Sequence, residues 1–490
     1  MASTVRMPKV ELHVHLDGAL DAGVLHGAAK ACLAAGKLSE DIAAKVSECG
    51  DDVEAFTKLV SCHPEDQSLK AMIDRFVFFL TFVQGNLPII EELACAFVSR
   101  QAAQNVLYTE VRYSPHILTS VGKYDGDAGA SASASGDVHA QAQAVVEAVT
   151  RGLRRGCERH PGTEIAQILC FLDGKVEWID SLVQIASTGR AASAAASAAA
   201  SALPFGAQPL ETCPIVGVDI AAGEEHFVPA ASQSENSAKH RQALRKCREM
   251  GLGITNHAGE TGIAANVSAA VSDAYGRATR IGHGSADCRR LPLIASLIND
   301  AYGRASRIGH GSADCHRLPL IASLIRYAAV AAALEMASAS VADGAPPRPA
   351  DVAAAFVSLG LKAPLTFECC PTSSRSTRGW TGATWSEHPL AQLYRLRMLA
   401  EASGDAASAA TLPRVTVNSD DPAVFGSSLT DECELVATGM GLGAPALRLL
   451  AADAVEACFL DAPGKQRLRE RLQAAWKDYE SLVKTGHQSR

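Results

Sequence analysis

No uninterrupted apolar run of roughly 18 residues, the length that marks a membrane-crossing helix, occurs anywhere in this chain of 490 residues. Met1–Lys9 is too short and too polar to serve as a secretory signal. Charge is not skewed either: 45 basic residues face 53 acidic ones, for a net charge of −8. That balance argues against a nucleic-acid backbone or an anionic membrane as the main partner. The 14 cysteines contain no C-x-x-C pair and follow no regular spacing. The adjacent Cys369 and Cys370 suit neither a normal disulfide nor a zinc knuckle, so the cysteines read as reduced thiols of a cytoplasmic protein.

What is present is a large core and a repeating layout. The hydrophobic share is 48%, and although the length exceeds the usual ~100–200 residues of a domain, α/β barrels run long as single domains. Short strand-like runs separated by long helical patterns fall at Val106–Val111, Ile165–Phe171, Ile215–Ile220, Leu252–His257, Pro364–Cys369 and Arg414–Val417. Strands alternating with helices imply a parallel sheet with βαβ crossovers. Each run ends in polar or glycine residues (EVRYSP, FLDG, DIAAGEE, HAGE, ECCP, NSDDP). This places chemistry at the carboxyl ends of the strands, as in a TIM barrel. The expectation is one α/β domain over 1–490, its core at about 7–485.

Low-complexity stretches interrupt the pattern at 125–136, 191–202 and 337–349. The Ala/Ser tract at 191–202 has helix propensity but little to bury, which predicts a surface loop or weak helix. A tandem repeat is the other interruption. Residues 272–298 recur as 299–325 with 24 of 27 positions identical. Two copies do not make a solenoid, which needs three or more. A recent duplication or a gene-model error accounts for them better, and a closed eight-stranded barrel has room for only one of the two RIGHG strands.

The chemistry-bearing residues sit at strand ends. In Lys9-Val-Glu-Leu-His13-Val-His15-Leu-Asp17-Gly18 the two histidines are two residues apart and point to one face of a strand, so both can reach one metal ion. His257-Ala-Gly-Glu260 offers a third histidine and a candidate acid/base. In Asn418-Ser-Asp420-Asp421-Pro422 the adjacent acids project differently, so one can bind metal while the other faces a substrate. Three imidazoles and a carboxylate with one position open for water form a zinc set, and zinc lowers the pKa of bound water to about 7.

The elements KVELHVHLDG, EVRYSPH, HAGE, RIGHG, ECCPTSS and NSDDP, in this order from Lys9 to about Gly426, resemble the adenosine deaminase family of metal-dependent amidohydrolases. The resemblance implies a (β/α)8 TIM barrel, one Zn2+ per chain and hydrolysis of adenosine to inosine and ammonia, in purine salvage. It makes His13, His15, His257 and Asp420 the metal ligands. Glu260 shares a proton with purine N1, and the RIGHG histidine orients the attacking hydroxide, whose proton Asp420 can accept. Asp421 hydrogen-bonds N7, Asp17 meets the ribose 5′ hydroxyl, and the Gly223 N–H approaches N3. Val53–Val60 and Ile73–Phe82 fall where the family places its lid, and ordinary core is the competing reading. The implied partners are a purine nucleoside and water, with a monomer expected and an oligomer left open.

Three departures leave alternatives. Asp219-Ile-Ala-Ala-Gly223 carries one Ala more than the family's Asp-Leu-Ala-Gly, so the N3 contact can come from Ala222 or Gly223. ECCPTSS leads into a longer turn, RSTRGW. The catalytic histidine of RIGHG is His283, 26 residues after His257, or His310, 53 after it, and crossover length favours His283. A carboxylate at Asp17 suits a nucleoside better than a 5′-phosphate. The alternatives to adenosine are adenine, an N6-modified nucleoside, or a pseudoenzyme damaged by the duplication. A cytidine-deaminase type is excluded for want of P-C-x-x-C.

Overall fold

The computed structural model describes residues 4–62, 69–120, 137–200, 213–222, 225–227, 235–258, 266, 269–272, 275–283, 350, 353–354, 365–378, 380, 382–402 and 404–487. Eight strands make one sheet in the order of the chain: β1 Lys9–His15, β2 Val106–Tyr113, β3 Glu164–Leu172, β4 Ile215–Ala221, β5 Gly253–Ala258, β6 Arg280–His283, β7 Thr366–Cys369 and β8 Arg414–Val417. Every neighbouring pair is parallel. The ring closes just past β8. The His15 N–H donates to the Asp420 carbonyl at 2.8 Å, and the Asp420 N–H donates to that of His13 at 3.1 Å. This is the (β/α)8 barrel that the family resemblance implies, built on the parallel sheet that the strand–helix alternation predicts.

The strand-like runs of the sequence fall within two residues of β2–β5, β7 and β8. Ile165, Ile168, Leu169, Val218 and Phe367 are fully buried, as strands covered on both faces require. A representative outer helix, Val138–Arg159, starts at Asp137, whose carboxylate accepts the Ala140 N–H at 3.1 Å. It buries Val145, Val146, Val149 and Leu153 and packs on the helix Leu87–Ala103, which buries Leu93, Phe97 and Val98. Truncating Phe97 to Ala costs about 3–5 kcal/mol. At the base of β1 the three N–H groups of the Lys9 ammonium are shared among the carbonyls of Thr4, Val5, Met7 and Gln104.

The first RIGHG copy forms β6, with Thr255–Ala258 on one side and Thr366–Glu368 on the other. The second copy, 299–325, lies outside the described residues, as do the insertions at 125–136 and 337–349. The Ala/Ser tract is helical up to residue 200, where it continues the helix Ile179–Ala200. The two segments expected at the lid differ. In Val53–Val60 the side chains of Phe56 and Val60 are buried. The helix Leu69–Val83 divides: Phe79, Phe82 and Val83 are core, while Met72, Ile73 and Phe76 line an open cleft. Among the described residues no single helix is long and apolar enough to cross a membrane.

Candidate active site

At the carboxyl ends of the strands four histidines and one aspartate crowd together. His13 and His15 reach the centre from β1 because residues two apart share a face. Their ring centroids are 5.4 Å apart, and the His257 ring at the end of β5 lies 4.8 Å from His13 and 5.1 Å from His15. His283, the last residue of β6, puts its ring 4.9 Å from His13. The chain leaves β6 with His283 at φ 60° and passes Asp420 at φ 61°. Both are in the left-handed region that non-glycine residues seldom adopt, and such conformations gather at functional sites.

The nitrogens are sorted by what they face. The Nδ1 atoms of His13 and His257 meet carboxylates, Glu368 Oε2 at 2.8 Å and Asp219 Oδ2 at 3.0 Å. The Nε2 atoms turn the other way: those of His15 and His257 lie 3.1 Å apart, and those of His13 and His15 lie 3.1 and 3.5 Å from Asp420 Oδ1. His13 Nε2 and Asp420 Oδ1 are both buried and make no hydrogen bond among the described residues. Donors of His13, His15, His257 and Asp420 all fall within 4.8 Å of one another. An unsatisfied His13 Nε2 beside an unsatisfied Asp420 Oδ1, two further Nε2 atoms within the same donor group, and acids fixing the far side of two rings fit a divalent metal ion. Asp420 Oδ2 also faces His283 Nε2 at 3.6 Å, and a second donor group joins His283, Asp420 and Cys370.

Beneath this cluster lies a buried charge lattice. Arg112 donates to Asp219 Oδ2 at 2.5 Å and to Glu368 Oε2 at 2.7 Å. Arg280 pairs with Glu368 and with Glu110, and Glu110 accepts the Tyr108 hydroxyl at 2.8 Å. Burial pushes Asp219 and Glu368 upward, but the arginines and histidines around them outweigh it. His257 and Arg112 hold Asp219 below the usual carboxylate range, and Arg112 and Arg280 hold Glu368 well below it. Burial lowers His13 and His15, which keeps both imidazoles neutral, the form that ligates a metal.

Two motif glycines make room. A Cβ on Gly18 would sit 1.7 Å from Asp421 Oδ1, and one on Gly282 would sit 2.7 Å from His13 Cε1. The open cleft above the cluster, solvent at its mouth included, spans about 700 Å3. Its apolar wall is Met72, Ile73, Phe76, Ile117 and Leu172, and its polar side includes Asp17, Ser114, Asp420 and Asp421. No lysine or arginine lines it among the described residues. Burial pushes Asp17 up to about 7, against one backbone N–H from Ser114 at 3.5 Å.

Of the residues singled out from the sequence, His15, Asp17, His257, His283, Asp420 and Asp421 line this cleft, and His13 joins His15, His257 and Asp420 in the donor group. Glu260, Gly223 and His310 lie outside the described residues. Sequence reasoning left out Asp219 and Glu368 as orienting acids, Cys370 as a neighbour of Asp420, and Cys170 on the cleft wall. For Asp219 and Glu368 the signal is charge embedded in otherwise apolar strands, as in IVGVDI and LTFEC.

The adenosine deaminase family model matches residues 8–303 and 298–475, two stretches that overlap where the first repeat gives way to the second. Adenosine deaminase of Xenopus tropicalis is 24% identical over 98% of this chain and 98% of its own length. Among solved structures, Arabidopsis ADAL complexed with IMP superposes with a TM-score of 0.59 at 18% identity, covering 97% of this chain and 99% of that one. A cog1816 amidohydrolase from Burkhoderia ambifaria with bound Zn gives a TM-score of 0.56 at 16% identity, covering 98% and 93%.

Proposed function

The chain belongs to the adenosine deaminase family, and from that premise we propose that it hydrolyses adenosine to inosine and ammonia at a zinc ion held by His13, His15, His257 and Asp420. 2′-Deoxyadenosine is expected to serve as well. The observation that carries this reading is the convergence of imidazole Nε2 atoms on Asp420 while Glu368 and Asp219 occupy the Nδ1 side of His13 and His257. When bound, zinc supplies an activated water at near-neutral pH. The chain's own residues supply the rest. Glu260 shares its proton with purine N1, which relieves the negative charge that attack at C6 builds on the ring. His283 orients the attacking water, and Asp420 accepts its proton. Asp421 hydrogen-bonds N7, and the backbone N–H of Ala222 or Gly223 reaches N3.

A nucleoside is favoured over a nucleotide on two grounds. A cleft without a lysine or arginine among the described residues leaves a 5′-phosphate dianion unneutralised. Asp17, raised to about 7 by burial, matches a neutral hydroxyl. The similarity to a structure complexed with IMP makes the comparison with nucleotides the discriminating one.

The test is the ultraviolet change from adenosine to inosine by purified, zinc-loaded protein. AMP, adenine and N6-methyladenosine are run alongside, with Glu260→Gln as control. Turnover of adenosine that disappears in the control and on chelation supports the reading. Faster turnover of AMP or adenine moves the substrate class, and no turnover by folded, zinc-bound protein makes the chain a pseudoenzyme.

A further inference from the structure

Two thiols face each other at the far end of the barrel from the histidine cluster. Cys157, in the last turn of the helix Val138–Arg159, and Cys213, two residues before β4, bring their Sγ atoms to 4.0 Å. β4 is seven residues long, so at ~3.3 Å per residue the pair sits about 20 Å from the strand ends that carry the site. Cys213 is 1% exposed, whereas Cys157 is half-buried, so Cys157 is the more exposed of the two.

Both thiols are held in place. Cys157 rides on a helix anchored by Val145, Val149 and Leu153. Cys213 has φ 43°, in the left-handed region, and Gln167 fixes it there. The Gln167 Nε2 donates to the Cys213 carbonyl at 2.5 Å, and its backbone N–H donates to the Pro214 carbonyl at 2.8 Å. Its Oε1 accepts the Tyr113 hydroxyl at 2.7 Å. A disulfide needs its sulfurs at about 2.05 Å, and side-chain rotation of the two thiols, with a small backbone adjustment, can close the remaining gap. Hydrogen bonding to Cys213 and to the Ile165 N–H lowers Cys157 against its burial, while hydrogen bonding to Cys157, followed by burial, pushes Cys213 up. A half-buried thiol 4.0 Å from a fully buried one has the division of labour of an attacking and a resolving cysteine.

We propose that Cys157 and Cys213 form a hydroperoxide-responsive dithiol whose disulfide ties the end of the helix Val138–Arg159 to the start of β4. The Cys157 sulfur attacks one peroxide oxygen and the O–O bond breaks. Hydroxide leaves and takes up a proton as water, and Cys157 becomes a sulfenic acid. The Cys213 sulfur then displaces that hydroxyl: the S–S bond forms, and a second water carries off the Cys213 proton. The two thiols lose two electrons and the peroxide gains them.

The test treats the purified full chain with graded hydrogen peroxide and maps its peptides, with the half-buried Cys32 and Cys62 as internal references. A Cys157–Cys213 cross-link should appear at peroxide levels that leave both references reduced, and dithiothreitol should reverse it. Because the two positions are 56 residues apart, oxidation should raise Tm by roughly 3–6 °C. In Cys213→Ser the same peroxide should leave Cys157 as a sulfenic acid that dimedone captures, with no cross-link. Loss of Cys32 or Cys62 before any cross-link forms, or Cys157 oxidised no faster than they are, overturns the proposal. The peptide map of the unaltered chain decides it even if a serine variant fails to fold.

Discussion

Glu368 and Glu432 are both glutamates with almost no solvent exposure, 0% and 1%, yet they hold their protons in opposite ways. Glu368 lies beneath the histidine cluster between Arg112 and Arg280, and these cations hold it well below the usual range despite its burial. Glu432 sits on the helix Leu429–Glu434, where its Oε2 accepts the Thr372 N–H at 3.1 Å. Its Oε1 has no hydrogen-bond partner among the described residues, and burial pushes this acid up to about 8. Burial penalises a carboxylate in both places, and the counter-charge decides whether it stays ionised. The difference has a chemical use: an ionised acid grips the Nδ1–H of a histidine and turns its Nε2 toward a metal, which a neutral acid does poorly.

Removing the cation is the harshest way to break this comparison. Arg112→Met leaves Asp219 and Glu368 buried without the cation they share, and breaking a buried pair from one side costs about 3–5 kcal/mol. The variant is expected to be largely insoluble or to melt many degrees lower, and its folded fraction should hold little metal. Thermal melting followed by metal analysis checks both. A soluble variant with unchanged Tm would show that the lattice does not hold these acids ionised.

A milder change keeps the shape and removes only the charge. Glu368→Gln retains an acceptor for the His13 Nδ1–H but not the carboxylate. Loss of such an orienting acid typically weakens metal binding 10–100-fold, to be read by competition with a chelator. Gly282→Ala approaches the same histidine by sterics alone. The new Cβ would lie 2.7 Å from the His13 ring and push its Nε2 off the common centre. About tenfold weaker metal retention with a near-normal Tm is expected, and unchanged retention would mean that His13 does not need its present position.

The sequence carried the candidate ligands because each stands in a short motif at a strand end, where alternation fixes the direction of the side chain. HVH says that two histidines share a face whatever surrounds them. The lattice beneath was harder to read. Arg112 and Glu368 are 256 residues apart, and nothing local says which buried charge meets which. All that shows is an Arg or Glu inside an apolar strand, a residue that must find a partner because it is too costly to bury alone. The cleft wall resisted for another reason. Met72, Ile73 and Phe76 share the helix Leu69–Val83 with the core residues Phe79 and Phe82, and helical periodicity marks an apolar face without saying whether it meets core or ligand.

The smallest effect tests the other member of the pair. An acid raised to about 8 in the native state and near 4.3 when unfolded binds its proton more tightly folded than unfolded. Its native form is therefore favoured below about pH 4, and stability falls as pH climbs toward 8, each unit of difference being worth about 1.4 kcal/mol. Glu432→Gln keeps the shape and cannot ionise. It should melt with the wild type near pH 4 and roughly 3–5 °C above it at pH 8, with metal retention unchanged. Glu368→Gln should show no such gain at pH 8, because there the ionised form is the one the fold stabilises. If Glu432→Gln instead lowers Tm equally at both pH values, the acid is held by its hydrogen bonds and not by its neutrality, and the contrast between the two glutamates fails on that side.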